Sequence, residues 1–200
     1  MDDPYPVSKS DQSTKLWTAK RQYFVFILLM MLGTAADLIS KQLIFSWRGL
    51  PQQLPPFWLI EPYVGIETAV NQGALFGMGQ GKGWLFAILS IVALFGICVW
   101  LFVFKAAESK WLIVAMGLVT GGIIGNLYDR LGIPNLPDEL HGGVRDWILF
   151  KYQDYVWPNF NIADSLLVVG AFMLGIHSLF LSPAEQTKSP ASDLRSKVDG

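Results

Sequence analysis

The sequence has little charge and few of the side chains that usually bind metals. Asp, Glu, Lys and Arg make up 16% of its 200 residues, against about 25% in an ordinary soluble domain. The formal net charge is −1, so the composition gives no support for a nucleic-acid partner. The single cysteine, Cys98, excludes an intrachain disulfide and a cysteine-based zinc site. The two histidines, His141 and His177, lie in different segments and show no metal-ligand spacing.

Hydrophobic residues, by contrast, make up 52% of the chain and are concentrated in four stretches. These stretches are residues 22–45, 83–104, 111–131 and 161–181. Each is close to the roughly 20 residues that an α-helix needs to cross a bilayer. The sequence therefore predicts an all-α membrane protein with four transmembrane helices over residues 22–182. Polar cytoplasmic tails are expected over residues 1–21, predicted to be disordered, and over residues 183–200.

Lysine and arginine are mildly enriched before the first span, between the second and third spans, and after the fourth. This bias favours a topology with both termini in the cytoplasm. Asp37, Asp129 and Asp164 then lie near the outer ends of their spans, and Asp146 lies in the loop just outside. We therefore expect all four carboxylates near the extracytoplasmic surface.

The two outer loops differ in their residue patterns. Residues 64–70 alternate between β-branched residues and small or polar ones, which predicts a short strand ending at a turn over residues 71–73. Gly77 and Gly79 follow in a flexible run that would let this loop close over a substrate. Residues 132–160 contain three prolines and are predicted to be irregular. The predicted fold thus includes a small extracytoplasmic β-containing loop region.

Asp146 and Asp164 are the strongest candidates for catalysis. Carboxylates at membrane depth are costly and are kept mainly where they have a function, and two that converge can share one proton and activate water. Asn161 precedes Asp164 by three residues, so a helix N-cap with a favourably placed acid is an equally open interpretation. For Asp146 the alternative is an exposed loop acid paired with Arg145. Glu67, in the first outer loop, is expected to be solvated.

Two further polar groups lie at span ends. Asn126, Asp129 and Arg130 have the helical spacing i, i+3 and i+4. An Asp129–Arg130 pair that fixes helix packing is favoured there over direct chemistry. Asp37 and Lys41, at i and i+4, are predicted to form a neutralised ion pair. The alternative for these two residues is contact with the polar part or lipid headgroup of a substrate.

Five motifs occur in the order in which one known family carries them. They are A-A-D-L-I-S-K (35–41), N-Q-G-A-L-F (71–76), G-G-I-I-G-N-L-Y-D-R (121–130), V-R-D-W (144–147) and F-N-I-A-D-S (160–165). Each motif alone is weak, but together they are highly specific. With them the chain resembles the lipoprotein signal peptidase family, also called signal peptidase II.

The resemblance implies a membrane-embedded aspartic endopeptidase of the bacterial cytoplasmic (inner) membrane. Such an enzyme removes signal peptides from prolipoproteins by cutting before a cysteine that carries a diacylglyceryl group, and it uses no metal or organic cofactor. The resemblance makes Asp146 and Asp164 the catalytic dyad. It implies the supporting residues Asn126, Asp129, Arg130 and Asn161 and the substrate-positioning residues Asp37, Lys41, Asn71 and Gly73. The implied partners are lipid-modified signal peptides and membrane lipids, and the chain is expected to be monomeric.

The chain departs from the family pattern at three places. Trp147 stands where the family usually has Phe, and Leu75 where it usually has Ala. The segment between Arg130 and Asp146 is longer than expected.

Two other classes of protein compete with the peptidase. A proton-coupled transporter would respond to a pH gradient, whereas a lipid- or signal-peptide-binding protein would hold its ligand without cutting it.

Overall fold

Four long helices dominate the computed structural model, which describes residues 9–73, 81–103 and 109–181. Helix α1 is Lys9–Arg48, α2 is Gly83–Cys98, α3 is Lys110–Arg130 and α4 is Ile162–Ile176. Five-residue π-helical turns, Val99–Val103 and His177–Leu181, extend α2 and α4. The stretches long and apolar enough to cross a membrane are Lys20–Arg48, Gly83–Val103, Lys110–Arg130 and Ile162–Leu179. The four predicted spans are therefore confirmed among the described residues.

The first helix begins earlier than expected. It starts at Lys9, so the prediction of a disordered tail is wrong for residues 9–21. Those residues contain neither proline nor glycine. Once the apolar span has formed a helix, each added residue gains one backbone hydrogen bond without a new nucleation cost. Residues 1–8 and the predicted tail over residues 183–200 lie outside the described part of the chain.

Helix α3 lies at the centre of the bundle. In its most apolar 18-residue stretch, 61% of the residues are buried, against 17% at most in the corresponding stretches of the other three spans. Glycines let the neighbouring helices approach α3 closely. A Cβ atom at Gly121 would lie 3.0 Å from the carbonyl oxygen of Met30 in α1, and one at Gly122 would lie 2.6 Å from that of Ala163 in α4. The central helix thereby packs closely against both α1 and α4.

A four-stranded antiparallel sheet completes the fold. Its strands pair in the order β1-β2-β3-β4. They are β1 Phe57–Ile60, β2 Val64–Asn71, β3 Val144–Tyr152 and β4 Tyr155–Phe160. The strand expected to end at residue 71 is confirmed. The term all-α is too narrow, because the protein combines four membrane-spanning helices with a small sheet.

The prediction that residues 132–160 are irregular is wrong. They contain β3, β4 and the short 3-10 helix Asp138–Leu140. The apolar run after Asp146 pairs with β2, which gives its backbone groups hydrogen-bond partners. Pro158 is compatible with β4 because β4 is an edge strand, where a missing backbone donor can face outward.

The sheet leads directly into the bundle. Ile148 of β3 is paired with Phe160 at the end of β4, and α4 begins at Ile162 after the capping residue Asn161. This connection brings the start of β3 and the first turn of α4 to the same end of α3. Asp146 lies on the former and Asp164 on the latter.

Candidate functional site

A cavity of about 610 Å³ lies between one face of the sheet and helices α2, α3 and α4. Its polar lining includes both candidate catalytic carboxylates. The polar and charged lining residues are Glu67, Asn71, Ser90, Asn126, Arg130, Asp146, Asn159 and Asp164. The apolar part of the wall includes Phe86, Leu89 and Ala93 of α2 and Leu167 and Val168 of α4. Polar groups thus converge at one end of a largely apolar space.

Asp164 is positioned by the start of α4. Its backbone N–H donates to Asn161 Oδ1 at 2.9 Å, and the backbone N–H of Asn161 donates to Asp164 Oδ2 at 3.2 Å. These reciprocal bonds form a capping box, which satisfies two backbone donors at the helix start. The N-cap interpretation is therefore confirmed, and it holds together with the position of Asp164 on the cavity wall.

Asp146 lies on strand β3, only 2% exposed, so its predicted place in an exposed loop is wrong. Its Oδ1 accepts a hydrogen bond of 2.6 Å from Asn161 Nδ2. Burial, and next the charge of nearby Asp164, raise the pKa of Asp146 well above its usual value. The expected pair with Arg145 does not form, because adjacent strand residues point to opposite faces.

Two asparagine side chains connect the aspartates. Asn161 Nδ2 donates to Asp146 and also to Asn126 Oδ1 at 3.1 Å. Asn126 Nδ2 in turn donates to Asp164 Oδ1 at 2.8 Å. A side-chain amide can donate and accept at once, so each carboxylate receives a hydrogen bond from a fixed amide. The amides orient both carboxylates toward the cavity.

Lys41 lies behind this network. Its Nζ is 2.7 Å from Asp37 Oδ2 and 3.1 Å from Asp129 Oδ2, and it donates to Asn126 Oδ1 at 3.0 Å. The predicted Asp37–Lys41 ion pair is confirmed. Both side chains are 0% exposed, so the alternative interpretation, direct contact with the polar part or lipid headgroup of a substrate, does not fit this structure. Asp37 instead accepts from the backbone N–H of Ala163 at 2.9 Å and so ties α1 to the start of α4.

The expected Asp129–Arg130 pair is wrong. Asp129 Oδ1 accepts from Arg145 Nε at 3.0 Å and from its Nη2 at 2.8 Å, and both side chains are buried. Adjacent residues of a helix do not face each other. Arg130 therefore points elsewhere: it donates to the carbonyl of Gly73 at 3.0 Å and lies 4.9 Å above the ring of Phe86. Its Nη1 has no hydrogen-bond partner among the described residues.

Asn71 and Gly73, the other two residues for which the resemblance implies substrate positioning, lie at the end of β2 and in the turn that follows it. Asn71 is part of the cavity wall. Its Oδ1 accepts from the backbone N–H of Gly73 at 2.9 Å, which closes the predicted turn. Gln72 donates to the carbonyl of Glu139, so the long segment before β3 contacts this turn. The glycines proposed to form a lid, together with Leu75, fall outside the described residues.

Glu67 was expected to be solvated, but it is half-buried in the cavity wall. Asn159 Nδ2 donates to its Oε2 at 3.2 Å and to its carbonyl at 3.0 Å. The period of two along β2 could have revealed this position, because Glu67, Ala69 and Asn71 share one face.

Within the described segments, no group of three or more His, Cys, Asp or Glu side chains is arranged to hold a metal ion.

Comparisons with known proteins give a consistent result. Residues 29–180 match the protein family described as signal peptidase (SPase) II. The chain is 58% identical over 161 residues to a lipoprotein signal peptidase of Rhodopirellula baltica, covering 78% of this chain and 72% of that protein. It is 36% identical over 156 residues to the lipoprotein signal peptidase of Pseudomonas syringae pv. tomato, covering 76% and 83%.

A solved structure shares the fold. It is described as a bacterial membrane enzyme solved by the in meso method at 2.3 Å resolution. The two chains superpose with a TM-score of 0.66 at 28% sequence identity, and the alignment covers 82% of this chain and 92% of the other.

Proposed function

The chain belongs to the signal peptidase II family, and from that membership we propose that it removes signal peptides from bacterial prolipoproteins. The bond cut is the one before a cysteine that carries a diacylglyceryl group. The reaction is hydrolysis by an aspartate pair. The observation that carries this proposal is the convergence of Asp146 and Asp164 on one cavity, connected through the amides of Asn161 and Asn126.

The environments of the two carboxylates differ, which supports separate roles. Asp164 is half-buried and accepts two hydrogen bonds, one from Asn126 and one from the backbone of Asn161. Hydrogen bonds to a carboxylate favour its charged form. Asp146 is nearly fully buried, accepts one such bond and has a raised pKa. We therefore assign the shared proton to Asp146 and the role of proton acceptor to Asp164.

The reaction then follows from these protonation states. Asp164 takes a proton from a water molecule, while the protonated Asp146 donates a hydrogen bond to the scissile carbonyl. The water oxygen attacks the carbonyl carbon and gives a tetrahedral gem-diol. Transfer of a proton to the cysteine nitrogen lets the carbon–nitrogen bond break. The signal peptide leaves with a carboxyl terminus, and the lipidated cysteine becomes the new amino terminus.

The cavity wall matches the two chemical parts of this substrate. Phe86 and Leu89 of α2 and Val168 of α4 form an apolar wall that suits acyl chains and the hydrophobic signal peptide. Arg130, whose Nη1 has no partner in the part of the chain that the structure describes, and the Asn71 turn supply polar groups near the dyad. We propose a monomer in the bacterial cytoplasmic (inner) membrane, with cytoplasmic termini and the cavity near the extracytoplasmic face.

The test is cleavage of a diacylglyceryl-modified prolipoprotein by purified protein in detergent, followed by mass spectrometry. Asp146→Asn and Asp164→Asn should each lower turnover at least about 100-fold, the usual contribution of a general acid or base. Asp154→Asn is the matched control, because Asp154 is an exposed acid in the turn between β3 and β4. It should cleave like the wild type.

Other results would redirect the proposal. If one dyad variant retained full turnover while folded, the catalytic role would move to another carboxylate. If the folded wild type bound the substrate without cutting it, the protein would be a binder. Cleavage at a bond other than the one before the lipidated cysteine would overturn the assigned substrate.

A further inference from the structure

Resting on the proposed function, we propose that Glu67 sets a substrate preference of this enzyme. Its carboxylate favours prolipoproteins that carry a cationic side chain within the first three residues after the lipidated cysteine, and it disfavours those with an acidic side chain there. Glu67 is a specificity-determining residue in this proposal and takes no part in proton transfer.

The backbone of β2 directs Glu67 into the cavity. Ile66 is paired with Ile148 and Ala69 with Asp146, so two residues of β2, Glu67 and Thr68, lie opposite one residue of β3. This extra residue is a β-bulge, a feature that redirects side chains and is common beside active sites. Thr68 is buried, whereas Glu67 is half-buried and lines the cavity that holds Asp146.

The carboxylate of Glu67 is held in place but not neutralised. Asn159 fixes it by donating one amide nitrogen to both its side chain and its carbonyl. Among the described residues, no lysine or arginine forms an ion pair with it. Arg130, the cation of the cavity wall, is held at the Gly73 carbonyl and over the ring of Phe86. A carboxylate offers about four acceptor positions, so most of those on Glu67 remain available to a ligand.

The sheet is the part of the site that faces the mature segment of the substrate. A signal peptide is hydrophobic and belongs with the apolar walls of α2 and α4. The chain after the cysteine is the start of an exported protein and leaves the membrane. Glu67 lies on β2 two positions from Ala69, the partner of Asp146, so a chain leaving the dyad over the sheet passes it. A side chain just after the cysteine is therefore the one that meets this charge.

The expected size of the preference follows from the exposure of Glu67. A half-buried ion pair is partly screened by water, and exposed pairs contribute up to about 1 kcal/mol, which corresponds to roughly five-fold in kcat/KM. We expect the wild type to cleave a Lys substrate about five-fold faster than the matched Glu substrate, with the Gln substrate between them. High salt should reduce the difference, because it screens exposed charges.

The experiment competes lipidated prolipoproteins that differ at one residue after the cysteine, which is Lys, Gln or Glu, and follows each product by mass. The enzymes are the wild type, Glu67→Gln, Glu67→Lys and the control Glu61→Lys. Glu61 lies between β1 and β2 and is exposed, so it carries the same charge change on the same sheet without lining the cavity.

Glu67→Gln should abolish the preference, Glu67→Lys should reverse it, and Glu61→Lys should leave it intact. Glu61→Lys should cleave the Gln substrate at the wild-type rate, whereas each Glu67 variant is judged by the ratio of its products within one mixture. The proposal is overturned if the wild type shows no preference, if Glu67→Lys keeps the original order, or if Glu61→Lys shifts the order equally. In those cases cleavage of the Gln substrate still upholds the proposed function. Failure to cleave any of the three substrates would refute both.

Discussion

Replacing Lys41 by methionine is expected to weaken both the fold and the catalysis. The ammonium group lies within 3.1 Å of oxygens of Asp37, Asp129 and Asn126, all of which are buried. Asp129 keeps its bonds to Arg145 when Lys41 is lost. Asp37 does not have such a second cation. Among the described residues, Lys41 is the cation that pairs with Asp37, with its Nζ 2.7 Å from Oδ2, so Lys41 alone compensates that charge.

The magnitude follows from this geometry. Removing one partner of a buried ion pair typically costs about 3–5 kcal/mol, because the other charge stays buried and unpaired. Lys41→Met should therefore lower the free energy of unfolding by about that amount. The double variant Asp37→Asn/Lys41→Gln removes both charges and retains hydrogen-bonding groups. Replacing a buried pair by neutral groups is often close to neutral, so we expect this variant to recover most of the loss.

Turnover should change in the same direction as stability, with a large loss in Lys41→Met and a partial recovery in the double variant. Lys41 holds the Asn126 amide so that its nitrogen faces Asp164. A small misplacement of catalytic groups can cost about 100-fold in rate, and we expect a loss of that size in Lys41→Met. The glutamine of the double variant can still donate to Asn126 and should restore part of the turnover.

The assay is equilibrium unfolding in mixed micelles, followed by tryptophan fluorescence, together with turnover on a lipidated substrate. The reasoning would be refuted if Lys41→Met lost less than about 1 kcal/mol, well below the range for a broken buried pair. It would equally be refuted if the double variant were no more stable than the single one. Equal turnover in the two variants would refute the catalytic role of Lys41, its positioning of Asn126, and would leave only its role in stability.

Three further predictions concern pH, packing and capping. The pKa of Asp146 in the folded state is raised above its ordinary value of 3.8. Its contribution to the free energy of unfolding should therefore be present at low pH and be lost as the pH rises through the folded-state pKa. Asp146→Asn should reduce this fall in unfolding free energy when unfolding is measured across pH. Gly122→Ala should lower the free energy of unfolding by about 1–3 kcal/mol, since its Cβ would lie 2.6 Å from a backbone oxygen. The control Gly96→Ala, whose Cβ would meet no atom within 4 Å, should be neutral or stabilising in the same unfolding assay. Asn161→Ala should cost about 1 kcal/mol from the lost cap and lower kcat more than it raises KM; unchanged kcat would argue against its place between the aspartates.

Local patterns in the sequence determined much of the architecture. Hydropathy and length predicted the four spans, and alternation predicted the strand ending at Asn71. The three-residue spacing predicted the cap at Asn161, and the four-residue spacing predicted the Asp37–Lys41 pair. These features depend on neighbours within one or two turns of a helix or along one strand, so the sequence contains what is needed to predict them. The cost of carboxylates at membrane depth pointed to Asp146 and Asp164, and the family resemblance added their expected role as a catalytic dyad.

The tertiary structure alone decided which side chains meet. The bond from Lys41 to Asn126 joins residues 85 positions apart, and the bond that holds Asp129 comes from Arg145 on the strand rather than from its neighbour in the helix. The bond from Asn159 of β4 to Glu67 of β2 joins residues 92 positions apart. Such contacts depend on how helices and sheet pack, and on the need to pair every buried charge. No periodicity in the chain carries that information, because the partners come from separate elements.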